Sequence, residues 1–128
     1  MRPLILATIA VVLIAAAGIW YGAGESGAQS GSAAAPTMVA AGEALFDANC
    51  AVCHGSAGTG TNQGPPLVHI IYEPSHHGDM SFLMAAQNGV RAHHWQFGNM
   101  PPVEGVSEDD VAAIVTYIRS LQREAGIF

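Results

Sequence analysis

Cys50-Ala51-Val52-Cys53-His54 constrains this chain more than any other stretch. It sets two thiols three positions apart, one turn of helix, with an imidazole directly after them. At that spacing both thiols can add to the two vinyl groups of one haem, and the histidine comes to lie under the iron. Porphyrin and proximal ligand are then fixed by one short segment, which is why Cys-x-x-Cys-His is the attachment signature of c-type haem. Cys-x-x-Cys alone also serves dithiol redox pairs and half-sites for zinc; the immediate His54 favours haem over both. With Cys50 and Cys53 taken by the motif, no disulfide framework is left to read.

A chain of 128 residues suits one small domain and an appendage. The apolar run from Leu4 to Tyr21 carries no charge, and at 1.5 Å per residue it reaches roughly 27 Å, close to the ~30 Å of a bilayer's hydrocarbon. Trp20 and Tyr21 close it where an interfacial aromatic belt belongs, and Arg2 at its start favours an N-terminus inside. Residues 1–21 are therefore expected to be a single-pass anchor in the cytoplasmic membrane. The rival is a cleaved export signal, whose apolar region is usually shorter; in that case the domain is soluble in the periplasm. Residues 22–37, rich in Gly, Ala and Ser, read as a flexible linker of about 20–25 Å. The remaining 38–128 make a domain with a limited core, which a buried haem would enlarge.

The formal net charge is −6, with no lysine and only Arg2, Arg91, Arg119 and Arg123 as fixed cations. Nothing here could neutralise a row of phosphates, which excludes a nucleic-acid partner. Helices are expected over Val39–Asn49, Ser81–Asn88 and from Ser107 to about Gln122, with Gly55–Gly64 a loop. Ser107 with Asp110 has the form of a capping box, and Val111, Ile114, Val115, Ile118 and Leu121 form an apolar stripe. Arg119 and Arg123 near the end of that helix suit its dipole.

From about Ala40 to its end the chain resembles the class I c-type cytochromes. The resemblance rests on four motifs in order. Gly42, Phe46 and Cys50 fall four residues apart, and Gly64-Pro65-Pro66-Leu67 follows. Met100-Pro101-Pro102 comes next, and Tyr117-Ile118 lies on the last helix. It implies an all-α fold in which N- and C-terminal helices cross, at Gly42 with Phe46 against Tyr117, around one covalent haem c. It implies that the Pro65 carbonyl (Pro66 in reserve) accepts the Nδ1–H of His54, and that Met100 is the distal iron ligand. By the same resemblance the Trp95 indole N–H bonds a haem propionate. Arg91 is the candidate cation for that propionate; the bland reading of it is a surface arginine. Phe82, Leu83 and Met84 are expected to line the haem wall.

Two histidine pairs, His76-His77 and His93-His94, depart from the pattern, and His69 stands apart from both. An electron carrier does not need them. Imidazole is the commonest protein ligand for copper and zinc, so the pairs are candidate ligands of a second metal, provided their two loops meet. The alternatives are that they form a pH-sensitive docking surface, or are ordinary polar loop residues with one bonded to a propionate.

The function expected is one-electron transfer without catalysis. The carrier would be membrane-tethered, its domain on the periplasmic side, shuttling between a quinol-oxidising complex and a terminal oxidase or reductase; that setting comes from the resemblance. The alternatives are a protein that handles copper or senses redox state through haem and the histidines, and a cytochrome subunit of a larger oxidoreductase.

Overall fold

The computed structural model describes residues 34–128. The expected anchor and residues 22–33 of the expected linker lie outside the described residues. Among the described residues there are four α-helices and two single 3₁₀ turns, with no strand beyond one isolated bridge. None of these helices is long and apolar enough to cross a membrane.

Helix α1 spans Ala34–Asn49. It starts earlier than expected, so residues 34–37, read as linker, are helical. The physical reason is local: alanine is the best helix former, and Pro36 falls in the first turn, where its missing N–H has no intrahelical acceptor. Helix α2, Ala51–His54, is a single turn that follows almost without interruption, since the Cys50 amide still donates to Phe46 O at 2.8 Å. The haem motif thus rides on the end of α1. A 3₁₀ turn at Ser56–Gly58 interrupts the glycine-rich loop, and a second covers Ile70–Tyr72. Helix α3, Asp79–Asn88, ends at Gly89 with φ of 72°, as its sequence implied. Helix α4, Glu108–Glu124, opens on the expected box: Ser107 Oγ accepts from the Asp110 amide, and Asp110 Oδ2 accepts from the Ser107 amide at 3.0 Å.

The core sits where α1 crosses α4. Gly42 is indispensable there, because a Cβ in its place would stand 2.0 Å from Ala113 O and 3.0 Å from Tyr117 Cβ. The close approach lets the Phe46 and Tyr117 rings meet at 5.8 Å. Phe46 and Ile118 are wholly buried, with Leu67 and Ile114 beside them. This is the crossing the sequence implied.

The apolar stripe of α4 packs on the core, with Leu121 half-buried against it, and one residue is to be added. Gln122 is wholly buried, and its Nε2 donates to Leu67 O at 2.8 Å. Arg119, read from sequence only as a cation suited to the helix dipole, is buried. Its guanidinium donates to Asp79 Oδ1 (2.8 Å), Tyr72 O (2.6 Å), Gln122 Oε1 (2.6 Å) and His77 O. It also lies 4.9 Å above the Phe82 ring. One side chain of α4 therefore holds the whole segment that joins the second 3₁₀ turn to α3.

Candidate haem site

A cavity of about 660 Å³ opens between α2, α3 and the segment before α4. That size belongs to pockets able to bury a cofactor. Its wall is mostly apolar, with Phe46, Leu67, Phe82, Val111 and Ile114 among the lining side chains. Met80 and Met84 line it as well, whereas Leu83, expected on this wall, is not part of it.

The motif delivers its groups to that wall. Cys50 and His54 both line the cavity. Burial first, and then the neighbouring Cys53, push the Cys50 thiol up to about 11, so it stays protonated near neutrality. Cys53 is half-buried with its Sγ turned towards Gln63. His54 is buried, and its Nδ1 lies 2.8 Å from Pro65 O. A carbonyl can only accept, so Nδ1 carries the proton and Nε2 keeps its lone pair. Such an outer bond fixes the tautomer and raises the basicity of a ligating imidazole. Backbone packing holds Pro65 in place. A Cβ on Gly64 would meet Cys53 O at 2.8 Å, and one on Gly60 would meet Pro66 N at 2.7 Å.

Met100 lines the same cavity. Its amide and carbonyl pair with those of Val90 at 2.9 Å in both directions, an antiparallel bridge that closes the loop 91–99 at its neck. Gly89 is required at the crossing: a Cβ would stand 2.4 Å from Met100 O, and its φ is positive in any case. The Val103 amide then donates to Ala86 O at 2.8 Å, tying the Pro101-Pro102 exit to α3.

Trp95 also faces the cavity, and its Nε1 is buried with no hydrogen-bond partner. The Tyr72 phenol, its pKa raised by burial, is near enough for the indole to offset part of that rise. The approach does not close into a bond of ordinary geometry. A buried N–H without a partner in a native fold asks for an acceptor from outside the chain, and a carboxylate of a bound group answers that need. With Cys50, His54 and the apolar wall, it makes the residues present fit a haem. Arg91 is exposed and outside the cavity wall, although Val90 and Ala92 on either side belong to it. Its carbonyl, at 2.9 Å from His93 Nδ1, is its one described contact at this site.

The two histidine loops do meet. His76, His77, His93 and His94 form one group of rings with centroids 4.3 to 6.0 Å apart. His69 is elsewhere; its Nδ1 accepts from the Ile71 amide at 3.2 Å and its ring abuts Trp95. Sequence reasoning missed Arg119 as the organiser of this region. The signal was present, since Arg119 lies four residues after Val115 and so falls on the apolar stripe.

A family model described as Cytochrome c matches residues 39–122. No curated protein and no solved structure matches the chain.

Proposed function

This chain belongs to the cytochrome c family, with covalent haem c as its cofactor and haem-based electron transfer as its activity, and on that premise we propose a membrane-tethered carrier with His54 and Met100 as the axial pair. The observation that carries the proposal is the shared cavity. One wall presents His54, held by Pro65 O, and Met100 enters from the bridged loop.

Bound haem supplies a one-electron iron couple, whose potential a methionine–histidine pair sets higher than two histidines do. The chain's own residues do the positioning. Cys50 and Cys53 form the two thioether links, Pro65 O orients the His54 ring, and the Val90–Met100 bridge holds the thioether in register. Trp95 Nε1 donates to a propionate. With His54 and Met100 both committed to the iron, no position would be left for a substrate, which favours a carrier over a catalyst. The uncharged run Leu4–Tyr21 and the Gly/Ala/Ser stretch after it support a tether, from which the domain swings between a quinol-oxidising complex and a terminal oxidase or reductase in the periplasm.

The test is spectroscopic. Oxidised protein from a host that matures c-type haem is expected to show a sulfur-to-iron charge-transfer band, and reduced protein to ignore carbon monoxide. Met100→Ala should lose the band and bind carbon monoxide. A high-spin ferric spectrum of the unaltered protein, or a carbon monoxide adduct, would overturn the axial assignment. Haem stain that remains with membranes through an alkaline carbonate wash supports the tether, and recovery in the soluble periplasm refutes it.

A further inference from the structure

The geometry points to a second metal site on this domain: one copper(II) or zinc ion held by imidazoles of His76, His77 and His94, with His93 as the adjoining fourth. One ligand nitrogen from each of the first three already lies within 4.8 Å of the others. Nitrogens at ~2.0–2.1 Å from a common tetrahedral ion stand about 3.3 Å apart. The remaining closure is at most about 1.5 Å, within reach of side-chain rotation because His76 and His94 are exposed.

A further feature favours a ligand over mere crowding. The Nδ1 atoms of His77 and His93 lie 2.7 Å from Ile71 O and 2.9 Å from Arg91 O. Both carbonyls can only accept, so each ring donates from Nδ1, which leaves Nε2 as the atom to meet an ion. A backbone carbonyl behind the imidazole is the arrangement that orients metal-bound histidines.

The donor set selects the ion class. Three or four imidazoles with no thiolate suit copper(II) and zinc, and copper(II) heads the affinity order. Both halves of the site are braced by the fold. Arg119 grips His77 O and Tyr72 O, and the Val90–Met100 bridge closes the other loop. An ion here would staple the loop that bears Trp95 and ends at Met100 to the segment preceding α3. His77, His93 and His94 also line the cavity, so the ion's charge would stand at the cavity wall. This site goes beyond the carrier reading and is independent of it, since that reading is tested by the haem spectrum and this one by ion binding.

The experiment is calorimetric titration of untagged holoprotein with copper(II) and, separately, zinc at neutral pH. The expected result is one ion per chain with a micromolar or tighter Kd. The double variant His76→Ala/His94→Ala should weaken it on the order of 100-fold. Zinc-edge X-ray absorption of the unaltered protein, which needs no variant to fold, should show scattering from three or more imidazoles. Binding only at millimolar concentration, equal binding by the double variant, or a zinc-edge spectrum without imidazole would each overturn the site.

Discussion

Removing the Arg119 guanidinium while keeping its apolar stem, as in Arg119→Met, separates two explanations of how the segment before α3 is held. One is the ion pair with Asp79 at 2.8 Å; the other is the set of carbonyl acceptors. Asp79 is 72% exposed against 9% for Arg119, so water screens the pair, and such pairs contribute about 0–1 kcal/mol. The acceptors behave differently. Tyr72 O keeps a bond from Gln122 Nε2 at 3.2 Å, but His77 O and the buried Gln122 Oε1 lose theirs. An acceptor stranded away from water costs about 1–3 kcal/mol, and loss of the contact over Phe82 adds roughly 0.5–1 kcal/mol. His77 is half-buried and water can reach part of the gap, so the total expected is about 2–4 kcal/mol. For a domain of this size that lowers the melting temperature by roughly 10–25 °C. The assay is urea unfolding of the holoprotein followed by circular dichroism, with Asp79→Asn as the comparison, expected to cost about 1 kcal/mol or less. If Asp79→Asn costs as much as Arg119→Met, or if Arg119→Met costs under ~1 kcal/mol, the carbonyl argument fails.

Gly42→Ala offers a test by sign. Helix propensity alone says the change should stabilise by about 1 kcal/mol; a Cβ only 2.0 Å from Ala113 O says the helices must part. Overpacking of this kind costs about 1–3 kcal/mol or more, so the melting temperature is expected to fall by roughly 5–15 °C, and a rise would refute the crossing. Asp110→Asn tests the cap. The side-chain and then the backbone hydrogen bonds of Ser107 hold the Asp110 carboxyl below its ordinary pKa. Its stabilising effect is therefore present above the unfolded carboxylate value and lost as pH falls through the lower folded one. The variant should melt below the unaltered protein at neutral pH and converge with it in acid; a gap that persists in acid would mean that charge is not the cause.

The parts of this molecule legible in sequence are those that local chemistry dictates. Cys50, Cys53 and His54 announce themselves by spacing, and Ser107 with Asp110 by the capping pattern. Gly42 stands out as a glycine that a helix interior should not hold. Pro65 was reachable only through resemblance, because the bond from His54 spans eleven residues of irregular loop. Arg119 and Gln122 were misread for a different reason. A polar residue on an apolar stripe is either a fault in the pattern or the donor for buried backbone, and only the tertiary fold shows that Tyr72 O, Leu67 O and His77 O wait there. The early start of α1 escaped because residues 34–37 share the small-residue composition of the linker stretch before them. Convergence of the histidine pairs hung on one condition, the meeting of two loops, which no periodicity encodes.

The neck between Val90 and Met100 has a kinetic meaning. Two reciprocal amide bonds are a short fastening, and parting them frees residues 91–99 without disturbing the crossing of α1 and α4. If Met100 is the distal ligand, as proposed, its exchange would proceed by an opening confined to this loop, far smaller in free energy than global unfolding. The Val90 and Met100 amides should take up deuterium together and ahead of those in the middle of α4. On the proposed axial assignment, a sulfur-to-iron bond at Met100 would be coupled to a latch and not to the fold.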